Sequence, residues 1–241
     1  MNLEDITVVV PTRNERDNVG IFLGSLPERV SLVVVDASDD GTPEIIRGMR
    51  TRRTLVISHP GSISQARQIG AEHAGTPWLV FADADVAFAP DYFERLCRRT
   101  GWDAVYGPKH SRDQFCRYYR WFARGQRLLH GLGAPSASGS NLAMRKDALN
   151  AVGGFDARLV CNEDSELVWR VKRAGFRVEF DAGLIVYAYD HRRLHRGLWR
   201  KSVHSLARCA LLYFNAMPSR WRSHDWGYWA PPRKRATSAR D

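Results

Sequence analysis

Asp83 and Asp85, separated only by Ala84, follow directly on an apolar run from Trp78 to Phe81. That run reads as a buried strand, and in open α/β sheets ligands bind beyond the C-terminal ends of the strands. Alternation along an extended segment sends residues i and i+2 to one side, so both carboxylates are expected to face one small volume. Two like charges so close call for a positive partner. Hard oxygen donors suit Mg²⁺ or Mn²⁺, which commonly arrive with a diphosphate. The competing assignment is a cap on the next helix. It is weakened because Pro90 reads as that helix's first residue and Asp83 lies well before it.

The elements that must position this pair alternate regularly. Ile6 to Val10 reads as a buried strand and runs into the polar turn Pro11-Thr12-Arg13-Asn14-Glu15. Val19, Phe22, Leu23 and Leu26 then share one helical face. Leu32 to Val35 is a second strand ending in Asp36-Ala37-Ser38-Asp39-Asp40-Gly41, and Thr42-Pro43 opens a helix. Leu55 to Ile57 is a third strand, and Ser62-Ile63-Ser64-Gln65 forms a capping box for a helix to about His73. Four strand and helix alternations without hairpin signals predict a parallel, nucleotide-binding type of sheet.

After Tyr106 the pattern changes. A helical segment over 113–130 mixes Phe115, Tyr118, Tyr119, Trp121 and Phe122 with Arg117, Arg120, Arg124 and Arg127. The loose stretch Gly131 to Ser140 is expected to be mobile and to touch substrate. Asn141 to Met144 reads as a strand, Asp147 to Val152 as a helix and Gly153-Gly154-Phe155-Asp156 as a turn. Glu163-Asp164 opens a helix to Ala174, and Phe176 to Phe180 and Leu184 to Tyr189 read as closing strands.

The chain has 241 residues, 44% of them hydrophobic, which is enough for one large α/β domain. Its four cysteines form no CxxC pair, so neither a zinc site nor a disulfide framework is suggested, and a reducing cytoplasm is the simplest compartment. Neither a signal peptide nor a membrane-spanning run is visible. A formal net charge of +10 leaves three partner classes: nucleic acid, an anionic membrane surface, or phosphorylated substrates.

Taken in order, Val-Val-Val-Pro-Thr-Arg-Asn-Glu, Val-Val-Asp before Ser-Asp-Asp-Gly-Thr, Phe-Ala-Asp-Ala-Asp, Gly-Ser-Asn-Leu-Ala-Met-Arg, Gly-Gly-Phe-Asp and Asn-Glu-Asp-Ser-Glu-Leu form an ordered set. By these motifs the chain from Ile6 to His191 resembles a family 2 glycosyltransferase of the GT-A type. The resemblance implies a Rossmann-like, mostly parallel central sheet flanked by helices, with a C-terminal helical extension. Residues 1–106 would be the nucleotide-sugar-binding half, 107–190 the acceptor-binding half of the same domain, and 191–241 a basic, aromatic extension. It further implies that Pro11, Thr12, Arg13 and Glu15 line the nucleotide pocket and that Asp36 binds the base, with Asp39 close by. Gln65 and Arg67 would approach the nucleotide or diphosphate. Asp83 would bind the ribose or a metal-bound water, Asp85 would hold Mn²⁺ or Mg²⁺, and His191 matches the place of a third metal ligand. Gly139, Ser140 and Asn141 would wall the donor sugar from the acceptor beside Glu163, and Asp164 matches the catalytic base.

The chemistry asks for these residue types independently. A leaving nucleoside diphosphate builds charge that a cation stabilises, and an acceptor hydroxyl must lose a proton as it attacks. One carboxylate opposite the leaving group suffices for in-line displacement, so inversion is expected. At a helix start, Asp164 is expected to be favoured in its ionised form. The nucleotide-sugar donor would thus meet a saccharide or lipid-linked acceptor. Beyond His191, Arg192, Arg193, Arg196, Arg200, Lys201 and Arg208 alternate with Leu198, Trp199, Leu212 and Phe214. Such a segment could lie on an anionic membrane, at the inner face of the cell membrane, or pack on the core. The tail at Trp221 to Trp229 adds aromatics, and Pro231 to Arg235 reads as disordered. No signature organises the arginines for nucleic acid. A phosphate acceptor on a polyprenyl chain, nucleotidyl transfer and a non-catalytic basic binding module are the alternatives.

Overall fold

Aliphatic, β-branched runs build three neighbouring strands, β1 (Ile6–Thr12), β2 (Ser31–Asp36) and β3 (Thr54–Ser58). The structure, a computed structural model, describes residues 1–195, 198–214 and 216–223. Ile6 to Val10 are all buried because helices cover both faces of the sheet. Val8 and Val10 pack with Phe22 of α1 (Val19–Gly24) and Ile46 of α2 (Thr42–Met49). Val9 faces the opposite layer with Ala71 of α3 (Ile63–His73). The capping box at the start of α3 forms as its sequence predicts: Ser62 Oγ accepts from Gln65 N at 3.3 Å, and Gln65 Oε1 accepts from Ser62 N at 2.9 Å.

Strand β4 (Trp78–Phe81) runs parallel to β1, so the predicted parallel half is present in the order β3-β2-β1-β4. The remaining strands are divided between two sheets. The large sheet continues through β8 (Leu142–Arg145), antiparallel to both neighbours, to β6 (Ala104–Tyr106) and β9 (Val178–Phe180). A small second sheet pairs β5 (Val86–Phe88), β10 (Val186–Ala188) and β7 (Lys109–His110). The two closing strands therefore join different sheets.

Three local expectations change. The chain does not stay extended through the aspartate pair: β4 ends at Phe81, and Ala84 and Asp85 form a turn into β5. The next helix, α4 (Tyr92–Arg98), begins two residues beyond Pro90, because Tyr92 N closes a turn on Ala89 O at 2.9 Å. The stretch after α5 (Cys116–Gly131) is pinned along its length. Pro135 O accepts from Trp169 Nε1 at 2.5 Å, Ser136 O from Gln126 Nε2 at 2.8 Å and Ala137 O from Ser165 Oγ at 3.1 Å.

Helices α6 (Lys146–Ala151) and α7 (Glu163–Arg173) cover the β8 side, and α8 (Arg192–His195) and α9 (Leu198–Tyr213) come after β10. Helix α9 packs Leu212 against Leu159 and Trp169. Arg208, one of the residues expected at lipid headgroups, is 2% exposed and donates to Trp221 O at 3.0 Å. Core packing thus describes this part of the extension. Arg196 and the tail from 224 onward lie outside the described residues.

Candidate active site

The C-terminal ends of β1 and β2 are in register at Thr12 and Asp36. Thr12 Oγ1 donates to Asp36 Oδ1 at 2.5 Å, and Ser38 donates its hydroxyl to the same oxygen at 2.7 Å. Asn14, at φ 57°, donates its N–H to Ser38 Oγ at 2.8 Å and accepts from Asp39 N at 3.0 Å. The turns after β1 and β2 are therefore knitted into one rim, with Arg13 exposed and Pro11 half-buried. Glu15 accepts from Arg192 Nη2 at 2.8 Å and from Asn18 at 2.7 Å, so α8 closes this rim. Burial pushes the Glu15 carboxyl up, against the pull of Arg192.

The centre of the site is a chain of charges around Arg67. This side chain, expected at the diphosphate, is 2% exposed. It pairs with Glu163 through Nη1 and donates through Nη2 to Asp83 Oδ1 at 2.7 Å. Ser140 Oγ donates to Asp83 Oδ2 at 2.7 Å. Asp164 Oδ2 accepts from Gly139 N at 2.6 Å and Oδ1 from Ser165 N at 2.6 Å. Burial pushes the carboxyls of both Glu163 and Asp164 above their ordinary range, opposed by the charge of Arg67. This corrects the simple dipole expectation for Asp164: desolvation outweighs the helix start.

Gly139 leaves room for Arg67. A Cβ there would lie 2.3 Å from the Arg67 guanidinium carbon. Asn162, immediately before the two acids, holds φ at 62°, a left-handed conformation that costs on the order of 1 kcal/mol or more in a non-glycine residue. Its amide donates to Ser205 Oγ and Cys209 Sγ, each at 3.2 Å, so α9 braces the loop that aims Asp164.

Asp85 sits apart from Asp83. Its Oδ1 is buried without a hydrogen-bond partner among the described residues, and Lys109 Nζ lies 3.6 Å away. Lys109 also donates to Ser140 Oγ at 3.3 Å, so the two aspartates are joined through Lys109 and Ser140. A buried carboxylate oxygen lacking a donor fits a hard divalent cation.

His191 has other partners than the metal expected of it. Its Nε2 faces Asp113 Oδ1 at 3.0 Å and its Nδ1 the hydroxyl of Tyr119 at 3.2 Å. Among the described residues no group of three acidic, His or Cys side chains is gathered to hold a metal. Burial and, next, the charge of Asp85 push the Tyr119 hydroxyl up, so this tyrosine links the His191 cluster to the aspartate turn.

Three further assignments change. Asn141, expected to face the sugar, is fully buried. It accepts from Tyr92 OH at 2.8 Å and donates to Leu184 O at 2.7 Å and Pro108 O at 3.1 Å. It is a strut between the two sheets. Gln65 is exposed and uses its carbonyl in the α3 cap. Glu163, expected beside the acceptor, is 4% exposed and anchors Arg67. Lys109 escaped the sequence reading, and Arg192 was read only as part of the basic extension, since a single basic residue in a two-residue strand or at the start of a short helix carries no local signal.

A mostly parallel sheet with aspartates turning out of β4 and acidic residues at the start of α7 brought to them through Arg67 has the architecture of the GT-A glycosyltransferases. The fold matches the mannosyltransferase PcManGT from Pyrobaculum calidifontis, solved in complex with GDP-Man and Mn²⁺. The TM-score is 0.66 at 20% identity over 91% of this chain and 72% of that one. Residues 4–208 match the family described as glycosyltransferase like family 2, and the chain belongs to that family of glycosyltransferase enzymes. It is 29% identical to the succinoglycan biosynthesis protein ExoA of Rhizobium meliloti, over 88% of this chain and 71% of that protein. It is 27% identical to the polyprenol monophosphomannose synthase of Mycolicibacterium smegmatis, over 71% of this chain and 73% of that protein.

Proposed function

We propose that this enzyme is an inverting glycosyltransferase that moves a sugar from a UDP or GDP sugar to an acceptor hydroxyl, with Asp164 as the base. The observation that carries the reading is that Asp164 shares one network, through Arg67, Asp83, Ser140 and Lys109, with Asp85. The rim of Thr12, Asp36 and Asp39 holds the nucleotide, with Arg13 and Glu15 at its outer side. Asp164 keeps one acceptor position on each oxygen after its two backbone hydrogen bonds, and takes the hydroxyl proton there. A carboxyl raised by burial is the stronger base when ionised. Asp85 would hold Mn²⁺ or Mg²⁺, which supplies Lewis-acid stabilisation of charge on the leaving phosphate. Ser140 and Lys109 fix the turn that presents Asp85.

Likeness to a polyprenol monophosphomannose synthase favours a second reading, transfer to a polyprenyl phosphate. A phosphate nucleophile needs no base. Asp164→Asn separates the two: loss of transfer on the order of a thousandfold with donor binding kept supports the hydroxyl acceptor. Near-normal turnover selects the phosphate acceptor.

A further inference from the structure

Helix α5 carries an outward face that no step of sugar transfer uses. Trp121 is 74% exposed, Leu128 64% and Leu132, just beyond the helix end, 72%. Arg117, Trp121, Arg124 and Leu128 follow i, i+4, i+7 and i+11 spacing, so they form one line along the helix, with Arg120 and Arg127 beside it. All four arginines are exposed. Among the described residues none of them is in an ion pair, as is also true of the exposed Arg13, Arg16, Arg52 and Arg53, whereas Arg29, Arg47, Arg95, Arg98 and Arg177 each have a carboxylate partner. No Asp or Glu occurs between Asp113 and Asp147. The charge of this face is therefore uncompensated, and its apolar side chains lie in the same line as the arginines.

We propose that α5 and Leu132 form an interfacial face that seats the enzyme on an anionic lipid surface. Arginines reach phosphate headgroups while Trp121, Leu128 and Leu132 enter the boundary beneath them. Nucleic acid would use the arginines and leave the two leucines in water. A second copy of this chain meeting the face symmetrically would set arginine against arginine.

The inner side of the same helix ties the face to the site. Tyr119 is hydrogen-bonded to His191, and Gln126 holds Ser136 in the segment leading to Gly139 and Ser140. A lipid-borne acceptor on that surface would reach the site beside this segment. This consequence rests on the transferase reading; the docking itself does not.

The test is co-sedimentation of the full chain with phosphatidylcholine vesicles, with and without phosphatidylglycerol. Wild type is expected to pellet with the mixed vesicles only. The double substitution Arg117→Glu with Arg124→Glu should weaken partitioning roughly tenfold or more. The matched reversal Arg47→Glu with Arg98→Glu, on α2 and α4, should stay near wild type. Trp121→Ser, which changes no charge, should also weaken it. Circular dichroism confirms that the variants fold. Equal losses in the two double variants, binding to neutral vesicles as strong as to anionic ones, or no binding by wild type each overturn the proposal. A UDP and GDP thermal-shift assay on the same proteins is the separate readout. If no nucleotide binds while the α5 variants alone lose vesicles, the transferase reading fails and the docking stands.

Discussion

Gly139 donates its N–H to Asp164 Oδ2 at 2.6 Å, while the place of its absent side chain is filled by the guanidinium of Arg67. One residue thereby aims the Asp164 carboxylate and lets the central cation pass behind it. Gly139→Ala is expected to push Arg67 aside and misplace Asp164. A loss in kcat/KM of about a hundredfold would result from a shift of ~1 Å at the reacting groups. Steady-state kinetics beside a melting curve checks this, and a variant with normal kcat/KM would show that the contact is incidental.

Arg67 pairs with both Asp83 and Glu163. Arg67→Met leaves two carboxylates facing each other in a buried place, which should cost about 3 to 5 kcal/mol in urea denaturation. Adding Glu163→Leu should return part of it, since the stranded charge is then removed. No recovery would mean that packing, not charge, makes Arg67 necessary.

The pH dependence of stability comes from burial of the acids. Glu163 faces Arg67 from α3, Asp83 beyond β4 and its neighbour Asp164, and burial pushes its carboxyl up to about 7 from 4.5. The folded protein thus holds this proton to higher pH than the unfolded chain. The stabilisation is complete below 4.5 and is lost as pH rises through about 7. Unfolding free energy should therefore fall as pH rises across that window. Glu163→Gln should flatten the curve, and an unchanged slope would assign the proton to another group.

Lys109 Nζ lies 3.6 Å from the buried Asp85 Oδ1. Lys109→Met should lower the melting temperature in metal-free buffer, because that oxygen loses its counter-charge. Mn²⁺ with UDP or GDP should then raise the melting temperature more than in wild type, since no ammonium competes for the carboxylate. An equal or smaller rise would show that Lys109 and the cation do not share Asp85.

Much of the scaffold is written locally. The apolar strands, the helix faces spaced by three and four residues and the Ser62 and Gln65 cap all depend on neighbours in sequence, and each is where its pattern puts it; the aspartates follow β4 as expected, but a turn at Ala84 and Asp85 parts them. The split of the closing strands between two sheets is not local, because a three-residue strand has too little pattern to choose its partner.

The sequence by itself determined the parallel half-sheet, the placing of the carboxylates at strand and helix ends, and so the class of chemistry, since hydrophobic period and turn residues act over a few positions. Only the tertiary structure decided how those groups pair. Arg67 meets Glu163 across 96 positions, Lys109 of β7 finds Asp85 in the turn before β5, and His191 turns to Tyr119 and Asp113. Asn141 becomes a buried strut, and Asp164 becomes a desolvated carboxyl on a loop braced from α9. Such pairings are set by which elements cross and how deeply each charge is taken from water, and neither quantity exists until the chain has folded.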